Sequence, residues 1–143
     1  MEIIKWYRVE RWCYLHHLVI IAKIIKILIR ILWGAVIPYQ VEIGEGTQFT
    51  YQALGVVLYR NTVIGSNCII RQHVTIALGD DPNGIPTIGD NVDIGAGTVI
   101  WGGVKIGNNV RIGANSFVNK DIPSNCTAVG APCKPVKFTR TSE

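Results

Sequence analysis

Residues 88–118 read IGDNVDIGAGTVIWGGVKIGNNVRIGANSFV, and a large apolar residue occupies every sixth position of this stretch. The same spacing reaches back to Ile43, with three extra residues before Leu58 and six extra before Ile88. A smaller side chain stands two positions ahead of most of these residues, and glycine follows six of the twelve. A period of six fits neither an amphipathic helix nor a simple alternating strand. It predicts an all-β solenoid of hexapeptide repeats, in which short strands wind around a narrow apolar core and turn at glycines.

Three hexads make one coil, so every third repeat lies on the same edge of a triangular prism. The first edge carries Gly- and Asn-rich turns. The second carries small residues on two successive coils, Ala96 and Gly97, then Ala114, which predict a shallow groove for an elongated ligand. The third carries Trp101 and the loop 77–86, and long loops are often functional. The first edge follows Ile43, Ile64, Ile88 and Ile106. The second edge follows Phe49, Ile70, Ile94 and Ile112. The third edge follows Leu58, Ile76, Ile100 and Val118.

The N-terminal region is helical in pattern. Residues 15–33 read LHHLVIIAKIIKILIRILW, and Lys23, Lys26 and Arg30 form one basic stripe on this apolar helix. Three central cations argue against a membrane-spanning helix. The helix either packs on the solenoid or another subunit, or lies as a peripheral contact on an anionic membrane surface. Gly34 and Pro38 end it. We expect a helical extension at 1–35, the β-helix at 36–128 and a C-terminal tail at 129–143.

Charge and cysteine content exclude some classes of function. The net charge is +4, and residues 1–37 hold six Lys/Arg against two Asp/Glu, whereas the remainder holds eight of each. The solenoid therefore lacks the basic footprint of a nucleic-acid-binding surface. The four cysteines form no CxxC pair, so we expect no metal. No signal-peptide cleavage site follows the apolar stretch, which predicts a cytoplasmic protein, with the inner face of the membrane as an alternative.

Three segments resemble a known enzyme family: GVVLYRNTVIGSNCIIRQHVTIALG, GIPTIGDNVDIGAGTVIWGGVKIGNNVRIGANSFV and NKDIPSNCTAVGAPCKPVK. They resemble serine acetyltransferase, and more closely its short relatives that acetylate surface polysaccharides. The resemblance spans roughly residues 36–137. It implies a left-handed parallel β-helix, a homotrimer, acetyl-CoA as donor substrate, and a small-molecule or saccharide acceptor bound between adjacent subunits.

The resemblance also implies site residues. The pantetheine arm of CoA would pass Ala96, Gly97 and Ala114, the small residues of the second edge. Gly79 in the loop and Lys134 near the C-terminus would be further contacts, Lys134 as a point charge for a CoA phosphate.

This chain departs from its relatives at the histidines. Relatives carry histidines at positions matched here by Tyr51, Tyr59 and Ile85. These departures argue against L-serine as the acceptor and cast doubt on catalysis.

Acetyl transfer to a hydroxyl needs a general base, and His73 is the only histidine of the solenoid. The alternative is that His73 is a turn residue that bonds a neighbouring coil. Asp80 and Asp81 would orient His73 or bind sugar hydroxyls; the alternative is that they form a solvated acidic loop. Tyr51 and Tyr59 would orient the acceptor. Trp101 would stack on a sugar or adenine, or pack across a subunit contact.

The function predicted from these observations is an acetyl-CoA-dependent O-acetyltransferase that acts on a hydroxyl of a sugar or surface-polysaccharide precursor. The alternatives are a serine O-acetyltransferase of cysteine biosynthesis and a catalytically silent β-helix scaffold subunit.

Overall fold

The computed structural model describes residues 2–139 and begins with two helices, α1 (Ile3–Leu15) and α2 (Val19–Trp33). The helix expected at 15–33 therefore begins later than predicted, and α1 lies within the helical extension expected at 1–35, for which the sequence pattern gave no separate helix bounds. The break lies at residues 16–18, where His17 takes a left-handed φ of 62°. Gly34, also left-handed, ends α2 as predicted, and its N–H donates to the carbonyl of Arg30. None of the described helices has the length and apolarity needed to cross a bilayer.

The described residues after α2 form three sheets that wrap around one core, with every strand pair parallel except that of β13 and β14. The first sheet contains β1 (Glu42–Ile43), β4 (Val63–Ile64), β7 (Thr87–Ile88) and β10 (Lys105–Ile106). The second contains β2 (Gln48–Phe49), β5 (Ile69–Ile70), β8 (Asp93–Ile94), β11 (Arg111–Ile112), β13 (Cys126–Val129) and β14 (Lys134–Phe138). The third contains β3 (Val57–Leu58), β6 (Thr75–Ala77), β9 (Val99–Trp101) and β12 (Phe117–Val118).

The assignment of repeats to three edges is confirmed, because each predicted set of large apolar residues lies in one sheet. Ile64 pairs with Ile88, Ile70 with Ile94, and Ile76 with Ile100 as Cα partners. The two interruptions of the period lie outside this stack. The first forms a 3-10 turn at Thr50–Ala53, and the second is the loop 77–86.

The core is a column of isoleucines with small side chains between them. Ile70, Ile94 and Ile100 are fully buried, and so are the hydroxyls of Thr62 and Thr98. Each of those hydroxyls donates to a backbone carbonyl, so its burial leaves no unpaired polar group. Cys68 is buried at one of the small positions and bonds the carbonyl of Gly89, which agrees with a packing role.

The two ends of the solenoid are covered by different elements. At the N-terminal end α1 packs on the first coil, where the Tyr7 hydroxyl donates to the carbonyl of Val41 and Arg8 donates to that of Ile43. At the C-terminal end β14 runs antiparallel to β13, within residues that the sequence assigned to the tail. A repeat pattern carries no signal for this antiparallel strand.

Candidate functional site

The second edge holds the predicted groove. On successive coils the N–H of Gly97 donates to the carbonyl of Gln72, and the N–H of Asn115 donates to that of Ala96. Gly97, with φ of 71°, lies beneath the Asn115 side chain. Because these turns are closed by backbone bonds and carry little side-chain volume, a depression is left beside them.

That depression is a cavity of about 580 Å³ on the outer surface of the second sheet, here called the Ala96/Ala114 groove. The predicted residues Ala96, Ala114 and Tyr51 line it, and Tyr51 is 75% exposed. Gly97 supports the turn but does not line the cavity. The other lining residues are Arg71, Gln72, Asp93, Gly95, Arg111, Ile112, Gly113 and Thr127.

His73 lies on the same edge but is turned toward the preceding coil. Its φ is 59°, and its backbone N–H donates to the carbonyl of Leu54 at 2.8 Å. Its ring covers Gly55, where any side chain would collide with Nδ1. Asn115 covers Gly97 in the same way. His73 therefore has the geometry of a turn residue, and its exposed ring is not part of the groove lining.

The loop 77–86 packs against β9 on the third edge. Gly79 has φ of 73°, and a Cβ there would lie 2.7 Å from the Gly102 Cα, so only glycine fits. Trp101, 41% exposed, has its indole nitrogen beside Gly79. Asp80 and Asp81 are exposed, and Asp81 accepts a hydrogen bond from the N–H of Asn83. No hydrogen bond joins either carboxylate to His73 within residues 2–139.

Three other predicted positions lie apart from the groove. Tyr59 is half-buried and lines a separate cavity of about 450 Å³, beside Lys26 and Arg60. Ile85 is an exposed loop residue. Lys134 is exposed at the start of β14. Within one chain, Tyr51, Ala96 and Ala114 thus lie together in the Ala96/Ala114 groove, and the other predicted site residues lie outside it.

A charged row across the second sheet was missed by the sequence analysis. Arg71 forms a bidentate ion pair with Asp93, with N–O distances of 3.0 and 2.9 Å, and this hydrogen-bonded pair raises the pKa of the guanidinium. Arg111 pairs with Asp93 in the strand register. It lines both the Ala96/Ala114 groove and a neighbouring cavity of about 640 Å³ that Lys137 also lines. The available signal for Asp93 and Arg111 was position, because the residue before each large apolar residue points outward, whereas Arg71 follows Ile70 and has no such signal.

The family description "Bacterial transferase hexapeptide (six repeats)" matches residues 85–120. The chain is 39% identical over 128 residues to a serine acetyltransferase of Synechococcus elongatus, covering 88% of this chain and 52% of that protein. It superposes with a TM-score of 0.85 and 30% identity on a solved serine acetyltransferase in complex with CoA, covering 94% of this chain and 55% of the other. The fold is thus the predicted left-handed parallel β-helix.

These similarities correct two predictions. The closer likeness to polysaccharide O-acetyltransferases is wrong, and so is the sugar or polysaccharide acceptor derived from it, because the matched relatives are serine acetyltransferases. The chain spans about half the length of the first relatives it matches. It covers 79% of the Helicobacter pylori serine acetyltransferase, with 35% identity over 136 residues and 94% of this chain aligned. This chain therefore belongs to the serine acetyltransferase family.

Proposed function

We propose that this protein is an acetyl-CoA-dependent acyltransferase that transfers an acetyl group to the side-chain hydroxyl of L-serine. The observation that carries the proposal is its similarity to the H. pylori serine acetyltransferase across most of both chains. The Ala96/Ala114 groove supports it independently, because the small residues that define the groove open a cavity on the sheet surface. All four cysteines are buried free thiols, which suits a reducing compartment, and a cytoplasmic location is part of the proposal.

In this proposal the groove holds the donor. A cavity of about 580 Å³ is within the size range of small-molecule sites. Ala96 and Ala114 keep the surface low enough for the pantetheine arm, and Arg111 supplies a cation beside it. Lys134 and Lys137 lie on the same exposed strand, where a CoA phosphate would attract either ammonium. Gly79 would contact the donor from the loop.

The chemistry is acyl transfer. The serine oxygen attacks the thioester carbonyl carbon and loses its proton, and the C–S bond then breaks to give O-acetyl-L-serine. The proton passes through the base to the CoA sulfur. His73 is the proposed base, since it stands one coil before Ala96 and its ring is exposed. To reach a bound serine, its imidazole must swing away from Gly55.

A homotrimer with shared sites completes the proposal. The outward positions of the third sheet are Val57, Thr75, Val99 and Phe117, whereas those of the second sheet include Gln48, Ile69, Asp93 and Arg111. The third sheet is thus the more apolar surface and the better subunit interface. Packing it against a neighbour would bring loop 77–86, with Asp80, Asp81 and Trp101, toward the neighbour's groove. There the loop carboxylates and Tyr59 could contact the serine.

A catalytically silent scaffold subunit is the second candidate. It is favoured by the seating of His73 over Gly55 and by Tyr51, Tyr59 and Ile85 at positions where relatives carry histidine. Such a subunit would keep the fold and the trimer but lack turnover.

Thiol release from acetyl-CoA, measured with and without L-serine, separates the two candidates. Serine acetyltransfer predicts thiol release that saturates with L-serine. It also predicts that Ala96→Trp weakens CoA binding at least about tenfold and leaves the trimer intact. CoA binding without serine-dependent release would overturn the proposed activity in favour of the scaffold.

A further inference from the structure

The outward side of α2 is a surface of large aliphatic side chains. Ala22, Ile25 and Ile29 are buried beneath the helix, whereas on the opposite side Ile20 is 76% and Ile31 is 72% exposed. The exposed residues, here called the α2 apolar face, are Ile20, Ile21, Ile24, Ile27, Leu28, Ile31 and Leu32. A contiguous apolar surface of this kind marks an interaction site.

One flank of this face is basic. Lys23 and Arg30 are exposed and seven residues apart, so they lie on the same side of the helix. Lys26 lies between them but is half-buried, with its ammonium 5.8 Å from the centre of the Tyr39 ring. None of the three forms an ion pair within residues 2–139, and α2 contains no acidic residue.

The rest of the helical region adds to the positive charge. Residues 1–37 hold six Lys/Arg against Glu2 and Glu10. Glu10 is fully buried beneath the helices, where desolvation raises its pKa to about 8. At neutral pH the carboxylate of Glu2 is therefore the main negative side chain of this region, and Lys5 already pairs with it.

This charge distribution decides between possible partners. A second copy packed antiparallel on the same face would bring Lys23 and Arg30 of both copies to one side of the contact, and in any packing α2 offers no carboxylate to neutralise them. An anionic lipid surface accepts the aliphatic side chains among its acyl chains and pairs the flanking cations with its headgroups.

We propose that the α2 apolar face docks on an anionic membrane surface, with Lys23 and Arg30 at the headgroups and Ile20, Ile24 and Ile31 inserted below them. The helix lies in the interface plane and does not span the bilayer. This attachment is separate from the acetyl-transfer site, and it would hold the solenoid beside the membrane whether or not serine is the acceptor.

Vesicle flotation of the full chain tests the docking. The probes are vesicles of pure phosphatidylcholine and vesicles containing roughly 30% phosphatidylglycerol, each at low and high salt. We expect binding to the anionic vesicles only, weakened as salt screens the cations. Ile24→Asp/Ile31→Asp and Lys23→Glu/Arg30→Glu should each lower the bound fraction at least about tenfold. Lys105→Glu/Lys120→Glu changes the charge equally on the solenoid surface and should leave binding unchanged.

Analytical ultracentrifugation and circular dichroism of every variant accompany the flotation, so that folding and subunit number are known. Equal binding to both kinds of vesicle, no binding to anionic vesicles at low salt, or loss of binding in the Lys105/Lys120 control would overturn the proposal. A smaller oligomer for Ile24→Asp/Ile31→Asp would also overturn it, because the face would then be a contact between copies of the chain.

Discussion

Replacing Glu10 by glutamine should stabilise the protein at alkaline pH and remove most of its pH dependence between about pH 5 and 8. The Glu10 carboxylate is fully buried, and neither of its oxygens has a hydrogen-bond partner in the described chain. Desolvation raises its pKa from 4.5 to about 8, although Lys26 and the nearby Tyr39 backbone oppose the shift. Burial thus favours the protonated form, in contrast to a salt-bridged carboxylate.

The sign and size of the change in unfolding free energy with pH follow from this raised pKa of Glu10. Below pH 4.5 both folded and unfolded chains keep the proton, so Glu10 adds no pH dependence. Between pH 4.5 and about 8 only the folded chain keeps it, and the free energy of unfolding falls as pH rises. The slope is about 1.4 kcal/mol per pH unit, and the full loss above that range is about 5 kcal/mol.

Urea unfolding monitored by circular dichroism measures this effect. From about pH 6 to pH 8 the parent should lose roughly 2 kcal/mol, because the slope decreases as the pH approaches the folded pKa, whereas Glu10→Gln should lose less than about 1 kcal/mol. Glu2→Gln is the matched control, because Glu2 is exposed and, among residues 2–139, forms an ion pair only with Lys5. This variant should behave like the parent. Equal pH slopes for the parent and Glu10→Gln would show that Glu10 is not buried as a neutral acid.

Three further outcomes test the groove, the base and the turns. In the groove, Ala96→Trp should weaken CoA binding at least about tenfold in calorimetry, whereas Glu45→Trp, at an exposed position of the first edge, should not. Equal CoA affinities for these two variants would contradict the placement of the donor site. His73→Ala and His73→Asn should both lower turnover roughly 10²–10⁴-fold. His73→Asn should retain the parent's thermal stability, because asparagine tolerates the left-handed turn. Turnover within a few-fold of the parent for both variants would remove His73 from the mechanism. Asn109→Ala removes the side-chain bonds to Asn91 and Asn125 at a residue with φ of 56°, so it should cost about 1–2 kcal/mol in urea unfolding, whereas Asn119→Ala should not change the stability. A cost no greater than in that control would show that the turn bonds add no stability.

The solenoid could be predicted from the sequence because its signal is local and repeated. Each coil adds large apolar residues at fixed spacing, so counting in sixes gives the strand register, as Ile94 and Ile112 illustrate. The groove at Ala96 and Ala114 follows from the same count, since small residues on stacked coils leave space beside the backbone.

The remaining features depend on contacts between distant residues. The orientation of His73 is set by Gly55, which lies eighteen residues earlier in the sequence and leaves room for the ring. The charged row escaped prediction because Arg71 and Asp93 meet only when two coils stack. The break between α1 and α2 also escaped, since the apolar pattern runs through His17 without a glycine or proline.

Serine acetylation is tested most directly by mass spectrometry of the products formed when the purified protein is incubated with acetyl-CoA, L-serine and an equal concentration of a neutral monosaccharide. The proposed function predicts O-acetyl-L-serine and an equimolar amount of free CoA, with the sugar unmodified and the product lost in Ala96→Trp. Acetylated sugar without acetylated serine, or no acetylated product from a protein that still binds CoA, would contradict it.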